Sequence, residues 1–387
     1  MNRLIIIVAT AMLCAACSNN SKKATEPMAD SGRTERTEAL LASMKQMAQN
    51  GQYMFGHQDD PVYGHEWVGD ADRSDVKSVC GDYPAVMGFD LGHLELGDSC
   101  NLDGVPFSRM RQEIIRHFER GGVVTLSWHL NNPLSGGTAW VADSLKDIER
   151  HTVEAVLTGG EKNEIFLGWL DRVATFLNSL QTADGIRVPV IFRPWHEHTG
   201  SWFWWGQGNC TTEQYQALWR LTVDRLKEQG VVNALYAYSP NQMTSDTTKE
   251  MLMERYPGDD LVDIIGYDQY CSSPNADTTA IANYAADLDR FLGYICEAAQ
   301  EHGKVAALTE TGYEGLKTAD WWTRTLAPVL GRHPVSYVLV WRNAHDKPGH
   351  FYAPYPDQLS ANDFVGFYND GKTLFLRDLN GVYIKNE

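Results

Sequence analysis

Eight short runs of apolar and β-branched residues recur along the chain, at 53–56, 85–90, 123–128, 188–192, 234–238, 263–267, 305–309 and 336–341, with helical patterns between them. Strand and helix alternating on this scale are expected of a parallel sheet with crossover helices. The clearest helix lies between the fourth and fifth runs. Thr211 and Gln214 fit a capping box, Tyr215, Leu218, Trp219, Thr222 and Leu226 form one apolar face, and Gly230 follows the end. Ahead of the first run, 37–50 places Leu40, Leu41, Met44, Met47 and Ala48 on one stripe before Gly51. Eight such units without a sequence repeat predict an α/β fold, a (β/α)8 TIM barrel, in which chemistry sits at the C-terminal ends of the strands.

The first residues break this pattern. Met1-Asn2-Arg3 precedes an apolar run at 4–13 and then Cys14-Ala15-Ala16-Cys17-Ser18, too short to span a bilayer permanently and with small residues where a signal peptide is cut. We read 1–16 as a signal peptide. Cys17, directly after Ala15-Ala16, resembles the lipidated first residue of a bacterial lipoprotein, and polar 17–36 reads as a flexible tether. The remainder, 37–387, suits one barrel domain with inserted loops. A lipid anchor at Cys17 is the one membrane contact expected. It implies the outer membrane of a Gram-negative bacterium, and Ser-Asn-Asn-Ser-Lys-Lys after Cys17, without acidic residues, points to the periplasmic face.

Composition narrows the partners. The chain carries 33 Lys and Arg against 50 Asp and Glu, a net charge of −17, and loss of the signal removes only Arg3. Nucleic acid phosphates would be repelled, whereas a neutral polysaccharide is compatible with such a surface. Beyond the signal, Cys80, Cys100, Cys210, Cys271 and Cys296 show no C-x-x-C spacing, which speaks against zinc. An oxidising compartment permits disulfides, with Cys80 and Cys100 the expected pair by proximity in sequence. A monomer is expected.

Candidate chemistry concentrates at two glutamates, Glu197 after the fourth run and Glu310 after the seventh. Retaining glycoside hydrolysis needs a proton donor and a nucleophile, two carboxyl groups roughly 5 Å apart, and paired strand ends can supply that geometry. Trp195, Trp202, Trp204 and Trp205 surround Glu197 in sequence, and such rings can stack on the apolar faces of sugars. Burial among them would raise the Glu197 pKa, as would the charge of Glu310. His57, His65, His93, His129 and His196 follow no helical metal-ligand spacing.

The segments His196-Glu197-His198-Thr199-Gly200-Ser201-Trp202-Phe203-Trp204-Trp205-Gly206 and Thr309-Glu310-Thr311-Gly312 resemble glycoside hydrolase family 26, mostly β-mannanases. The likeness continues through Gly56-His57-Gln58, Trp128-His129, Asn132-Pro133, Gly266-Tyr267-Asp268, Trp341-Arg342-Asn343, Asp363-Phe364 and Phe367-Tyr368-Asn369-Asp370. It is local in its departures: His198 stands where the family often has Asn, and Trp195 where an aliphatic residue is commoner. The resemblance implies Glu197 as acid/base and Glu310 as nucleophile, with no metal and no cofactor. It also implies retaining hydrolysis of β-1,4-mannosidic bonds in mannan, galactomannan, glucomannan or their oligosaccharides. With it, His129, His196 and Trp202 are expected to bind sugar, Tyr267 to hold the Glu310 carboxylate, Trp341 to lie under the sugar bonded to Glu310, and Arg342 to reach a distal sugar. For His196 to share a face with Glu197, the strand pleat must be broken by a bulge or turn.

Other readings compete with these. The same fold can act on xylan or mixed-linkage glucan, or the protein can be a non-catalytic glycan-binding lipoprotein, which need not keep both glutamates. Arg342 can instead pair with a carboxylate, and Trp140, Trp169, Trp219, Trp321 and Trp322 read as core residues. Segments 91–107 and 343–360 are long for loops of a β/α unit and, rising over one face of the barrel, would meet and wall off one end of a cleft.

Overall fold

The computed structural model describes residues 26 to 241 and 244 to 384. Residues 1–16 and Cys17 therefore lie outside the described residues. Eight parallel strands follow one another round a closed sheet: β1 (Tyr53–Gln58), β2 (Val86–Asp90), β3 (Val123–Ser127), β4 (Val190–Arg193), β5 (Ala234–Tyr238), β6 (Ile264–Cys271), β7 (Val305–Tyr313) and β8 (Val335–Val340). Closure is made by β8 pairing with β1, Met54 opposite Tyr337 through His57 opposite Val340. The predicted (β/α)8 barrel is what forms. Nearly every strand position is buried, as expected when one face lines the barrel and the other is covered by helices.

The helices obey their sequence signals. Helix α1 (Glu35–Gln49) starts at Thr34, whose side chain accepts from the Thr37 N–H, and α2 (Asp75–Cys80) and α3 (Phe107–Glu119) cover the next strands. Helix α4 (Asn163–Ser179) precedes β4, and α5 (Thr212–Glu228) opens with the full Thr211/Gln214 capping box, burying Tyr215, Leu218, Trp219, Thr222 and Leu226. Helix α6 (Thr278–Glu301) lies between β6 and β7. Strands β6 and β7 run well past their predicted ends, to Cys271 and Tyr313, and a register shift falls between Tyr267 and Asp268.

Two expectations are corrected. Cys80 and Cys100 are free thiols. Cys80 ends the helix leading into β2, at the base of the barrel, whereas Cys100 follows β2 at its mouth, so the barrel separates two residues that are near in sequence. The tether reading of 17–36 does not hold from Glu26 onward. Glu26 accepts from the Arg187 N–H, the Thr34 N–H donates to Val232, and Arg33 makes a two-pronged contact with Asp263 at 2.9 Å on each arm. All three partners precede strands, so this segment is laid across the base of the barrel.

Asp263 is almost fully enclosed, and losing its guanidinium would strand a carboxylate. Arg33→Ala is expected to lower the free energy of unfolding by about 2 kcal/mol, read as a fall in the urea midpoint at unchanged slope. An unchanged midpoint would mean that the segment rests on the barrel without holding it.

Candidate active site

At the mouth of the barrel, β4, β6 and β7 bring three carboxylates together. One oxygen each of Glu197, Asp268 and Glu310 lies within 4.8 Å of the others. Such convergence is unfavourable unless the charges are compensated, and the compensation is built in: Arg193, the last residue of β4, is buried with its guanidinium between two of them. Its Nη1 donates to Asp268 Oδ2 at 2.8 Å and to Ser239 Oγ at 3.1 Å, and its Nη2 donates to Glu310 Oε1. Asp268 also accepts from Thr309 Oγ1 at 2.6 Å.

Glu310 is fixed at both oxygens. Its Oε2 accepts from the Tyr270 hydroxyl at 2.8 Å. Tyr267, expected in this role, points outward instead: its ring packs 5.6 Å from Phe291 of α6, and its hydroxyl has no hydrogen-bond partner among the described residues. The cause is the register shift after Tyr267, together with the longer strand, which puts Tyr270 level with Glu310's end of the barrel. The strand end that sequence patterning drew at 267 hid the residue that does the work.

Glu197 is placed by a turn rather than by the strand. Beyond Arg193 the backbone is left-handed at Trp195 (φ 55°) and again at Glu197 (φ 51°), a conformation that costs a non-glycine residue on the order of 1 kcal/mol or more. Four hydrogen bonds hold it: the Glu197 N–H to Ser239 O at 2.8 Å, Trp205 Nε1 to His196 O at 2.8 Å, Tyr215 OH to Trp195 O at 2.9 Å and Trp195 Nε1 to Thr222 Oγ1 at 3.2 Å. This is the expected break in the pleat, and it turns the His196 ring onto His129, where it is buried. It also corrects the tryptophan reading. Trp195, Trp204 and Trp205 are completely buried and buttress the turn, and only Trp202, 40% exposed, reaches the cleft, its Nε1 donating to Glu197 Oε2 at 2.9 Å.

Electrostatics separates the two glutamates. Burial, and secondarily the charge of Glu310, pushes the Glu197 carboxyl up to about 7. His129 Nδ1 lies 2.6 Å from Asp90 Oδ2, and although burial alone would lower its pKa, the Asp90 carboxylate raises it. Asp90 is held down to about 2, burial being outweighed by His129. His196 is driven well below its ordinary value by burial and by Arg193, so across the 3.0 Å between the two rings His129 Nε2 donates and His196 Nε2 accepts.

Two tryptophans from different loops complete the cleft. Trp341, half-buried just after β8, lies 6.1 Å from the His129 ring, as its sequence position suggested. Trp140, expected in the core, is 46% exposed and stacks on His129 at 5.2 Å and 10°. Its loop is joined to the one after β4 by Val141 N–H to Trp202 O at 2.7 Å and Trp204 N–H to Ala139 O at 3.1 Å. Trp169, Trp219, Trp321 and Trp322 are core residues as read. Arg342 is not free. Its Nη2 meets Asp103 Oδ1 at 2.9 Å and its Nη1 donates to the Tyr63 hydroxyl at 3.4 Å, so the carboxylate pairing prevails and joins 91–107 to the end of β8.

Residues 29–306 match glycosyl hydrolase family 26, a stretch that contains Glu197 and stops before Glu310. A mannan endo-1,4-beta-mannosidase of Bifidobacterium adolescentis is 31% identical over 90% of this chain and 35% of its own length. One of Bacillus subtilis is 25% identical over 54% of this chain and 56% of its own. The chain thus spans about a third to a little over half of these curated relatives. Among solved structures, a GH26 beta-mannanase from Bacteroides ovatus is 50% identical with a TM-score of 0.86, covering 91% of this chain and 98% of that one. An endo-beta-1,4-mannanase from Cellulomonas fimi is 31% identical with a TM-score of 0.80, over 94% and 80%.

Carbon-13 NMR of glutamate-labelled protein is expected to show the Glu197 carboxyl titrating near pH 7, protonated below and ionised above. In Glu310→Gln the midpoint should fall yet stay above the ordinary 4.5, because burial, the larger cause, remains. A midpoint unaffected by Glu310→Gln would show that the two carboxyls do not sense each other.

Proposed function

The chain belongs to glycosyl hydrolase family 26, and on that footing we propose that it hydrolyses β-1,4-mannosidic bonds with retention of configuration. The observation that carries this reading is the approach of the Glu197 and Glu310 oxygens within 4.8 Å, the spacing of a double displacement rather than one that leaves room for a water between the carboxyls. Glu310 is the nucleophile. Arg193 and Tyr270 occupy one lone-pair direction on each oxygen, holding the carboxylate oriented while an unshared pair remains to attack the anomeric carbon. Glu197 is the acid. As the bond from the anomeric carbon to the bridging oxygen breaks, that oxygen keeps the electron pair and takes the Glu197 proton.

The glycosyl ester on Glu310 then removes the negative charge that helped keep Glu197 protonated. Glu197 ionises, draws a proton from an entering water, and the hydroxide displaces Glu310 from the anomeric carbon. Arg193 supplies the positive charge throughout. His129, tied to Asp90 and His196, is a rigid floor beside Trp140 and Trp341; Trp341 underlies the bonded sugar, and Trp140 and Trp202 flank the donor side. A binding-only protein would have no use for two carboxylates forced together, and the relatives, named for mannan, favour mannan over xylan or mixed-linkage glucan.

Glu197→Gln and Glu310→Gln are each expected to fold and to lose about 10²-fold or more in turnover of mannan. An aryl mannoside with a good leaving group should restore glycosylation in Glu197→Gln alone, and proton NMR of the first product should show the β-anomer. Near wild-type turnover by Glu310→Gln sinks the mechanism, and an initial α-product means inversion.

We further propose that the Arg342 and Asp103 pair, with Tyr63, closes one end of the cleft, so that short products dominate. Mannan viscosity should then fall slowly relative to the release of reducing ends, with one small product in excess. Arg342→Ala should shift the products to longer oligosaccharides. Rapid thinning by the wild type, with a product pattern indifferent to Arg342→Ala, would mean that the end is open.

A further inference from the structure

Beside the nucleophile, but outside the cleft, lies a cavity of about 250 Å³ that the mechanism does not use. It is lined chiefly by Tyr270 and Ser272 from the end of β6, Tyr313, Glu314 and Lys317 from the end of β7, and Tyr352 from the long segment after β8. None of His129, His196, Trp202 or Trp341 lines it. The wall it shares with the cleft is Tyr270, whose hydroxyl rests on Glu310 and whose ring packs edge-on against Tyr352 at 5.5 Å.

The pocket is firmly constructed. Tyr352 presses against the backbone of Gly312, where a Cβ would come within 2.3 Å of its ring, and the Tyr352 N–H is fixed by Asn343 Oδ1 at 2.9 Å. The segments that carry the lining hold two non-glycine residues in the left-handed region, Ala276 at φ 55°, two positions after Pro274, and Leu316 at φ 40°, just before Lys317. Such conformations persist where surrounding structure enforces them, and they gather at ligand sites. Its chemistry is tyrosine faces beside a hydroxyl, a carboxylate and an ammonium. Glu314 is oriented by His350 at 2.6 Å, and Lys317 has no carboxylate partner among the described residues.

One negative and one positive group sum to a neutral lining, which suits an uncharged ligand. Aromatic faces with a few convergent polar groups suit a sugar ring. The volume is below the range of about 300 Å³ upward taken by larger ligands, and so fits one ring. Because Tyr270 borders the cavity and also touches Glu310, an occupant of the cavity lies to the side of the nucleophile, lateral to the chain being cut. Resting on the mannan reading above, we propose that this cavity receives a single neutral hexose borne as a side group on the backbone at the cleavage point, an α-1,6-linked galactosyl unit. Substrates branched beside the scissile bond are then accepted rather than excluded.

The test compares kcat/KM on linear mannohexaose with that on mannohexaose carrying one internal α-1,6-galactosyl group. Wild type should cut both at similar rates. Ser272→Trp, an exposed position that can take a ring into the cavity, should lose about tenfold on the branched substrate only, and Lys317→Ala should raise its KM by several-fold. Equal losses on both substrates would make the cavity a backbone subsite or a structural support, and no loss on the branched one would leave the galactosyl group elsewhere; either overturns the proposal. Saturation-transfer NMR with methyl α-galactoside needs no turnover, so it separates failure of the pocket from failure of the mannan reading. Signal in wild type that is abolished in Ser272→Trp supports the pocket, and a wild type without signal refutes it.

Discussion

A guanidinium buried between two carboxylates is the contact on which the rest of the site depends. At 4.8 Å, two like charges repel by about 3 to 4 kcal/mol at an effective dielectric of 20, and a third carboxylate adds to this. Arg193 offsets that repulsion from within the barrel, spanning Asp268 and Glu310 while Ser239 steadies it. Arg suits this position as Lys would not, because its planar fork reaches both carboxylates at once and stays charged when buried. Asp268 need touch no sugar. It binds Arg193, and through Arg193 it fixes the direction in which Glu310 faces.

From that anchor the site divides into groups held in place and groups that change. Glu310 has a cation on one oxygen and a phenol on the other, whereas Glu197, carried on a strained turn and touched by one indole N–H, is left poised to hold or lose a proton near neutrality. The histidine pair repeats the division on a smaller scale. Asp90 makes His129 a donor, while burial and Arg193 leave His196 an acceptor toward it. The buried tryptophans behind Glu197 matter because they enforce the turn, and the cleft would lose its acid if they yielded.

The barrel was legible in the chain because strands buried on both faces leave long apolar runs, and all eight were located to within a few residues. The two glutamates stood out because their flanks carry long matching motifs. What escaped were contacts between elements. Tyr270 was hidden by a strand that continues past its apolar stretch, and Trp140 by a loop whose partner lies across the mouth, on the segment following β4. Arg193, in plain view before Pro194, gave no signal because a buried arginine and a surface one look alike in sequence. Cys80 and Cys100 misled for the opposite reason, since neighbours in sequence sit at opposite ends of a β/α unit. The polar stretch at 26–36 looked unable to pack, yet it packs through ion pairs and backbone hydrogen bonds, which hydropathy does not register.

That base-hugging segment has a geometric consequence. Glu26, Arg33 and Thr34 are bound to residues that lead into β4, β6 and β5, all on the side where strands begin, while Glu197 and Glu310 lie where strands end. Residue 26 therefore sits beneath the barrel, with the full length of the strands between it and the cleft. A solid support, a fluorophore or a fused domain attached there would point the open mouth outward, toward a polymer too large to diffuse round the molecule.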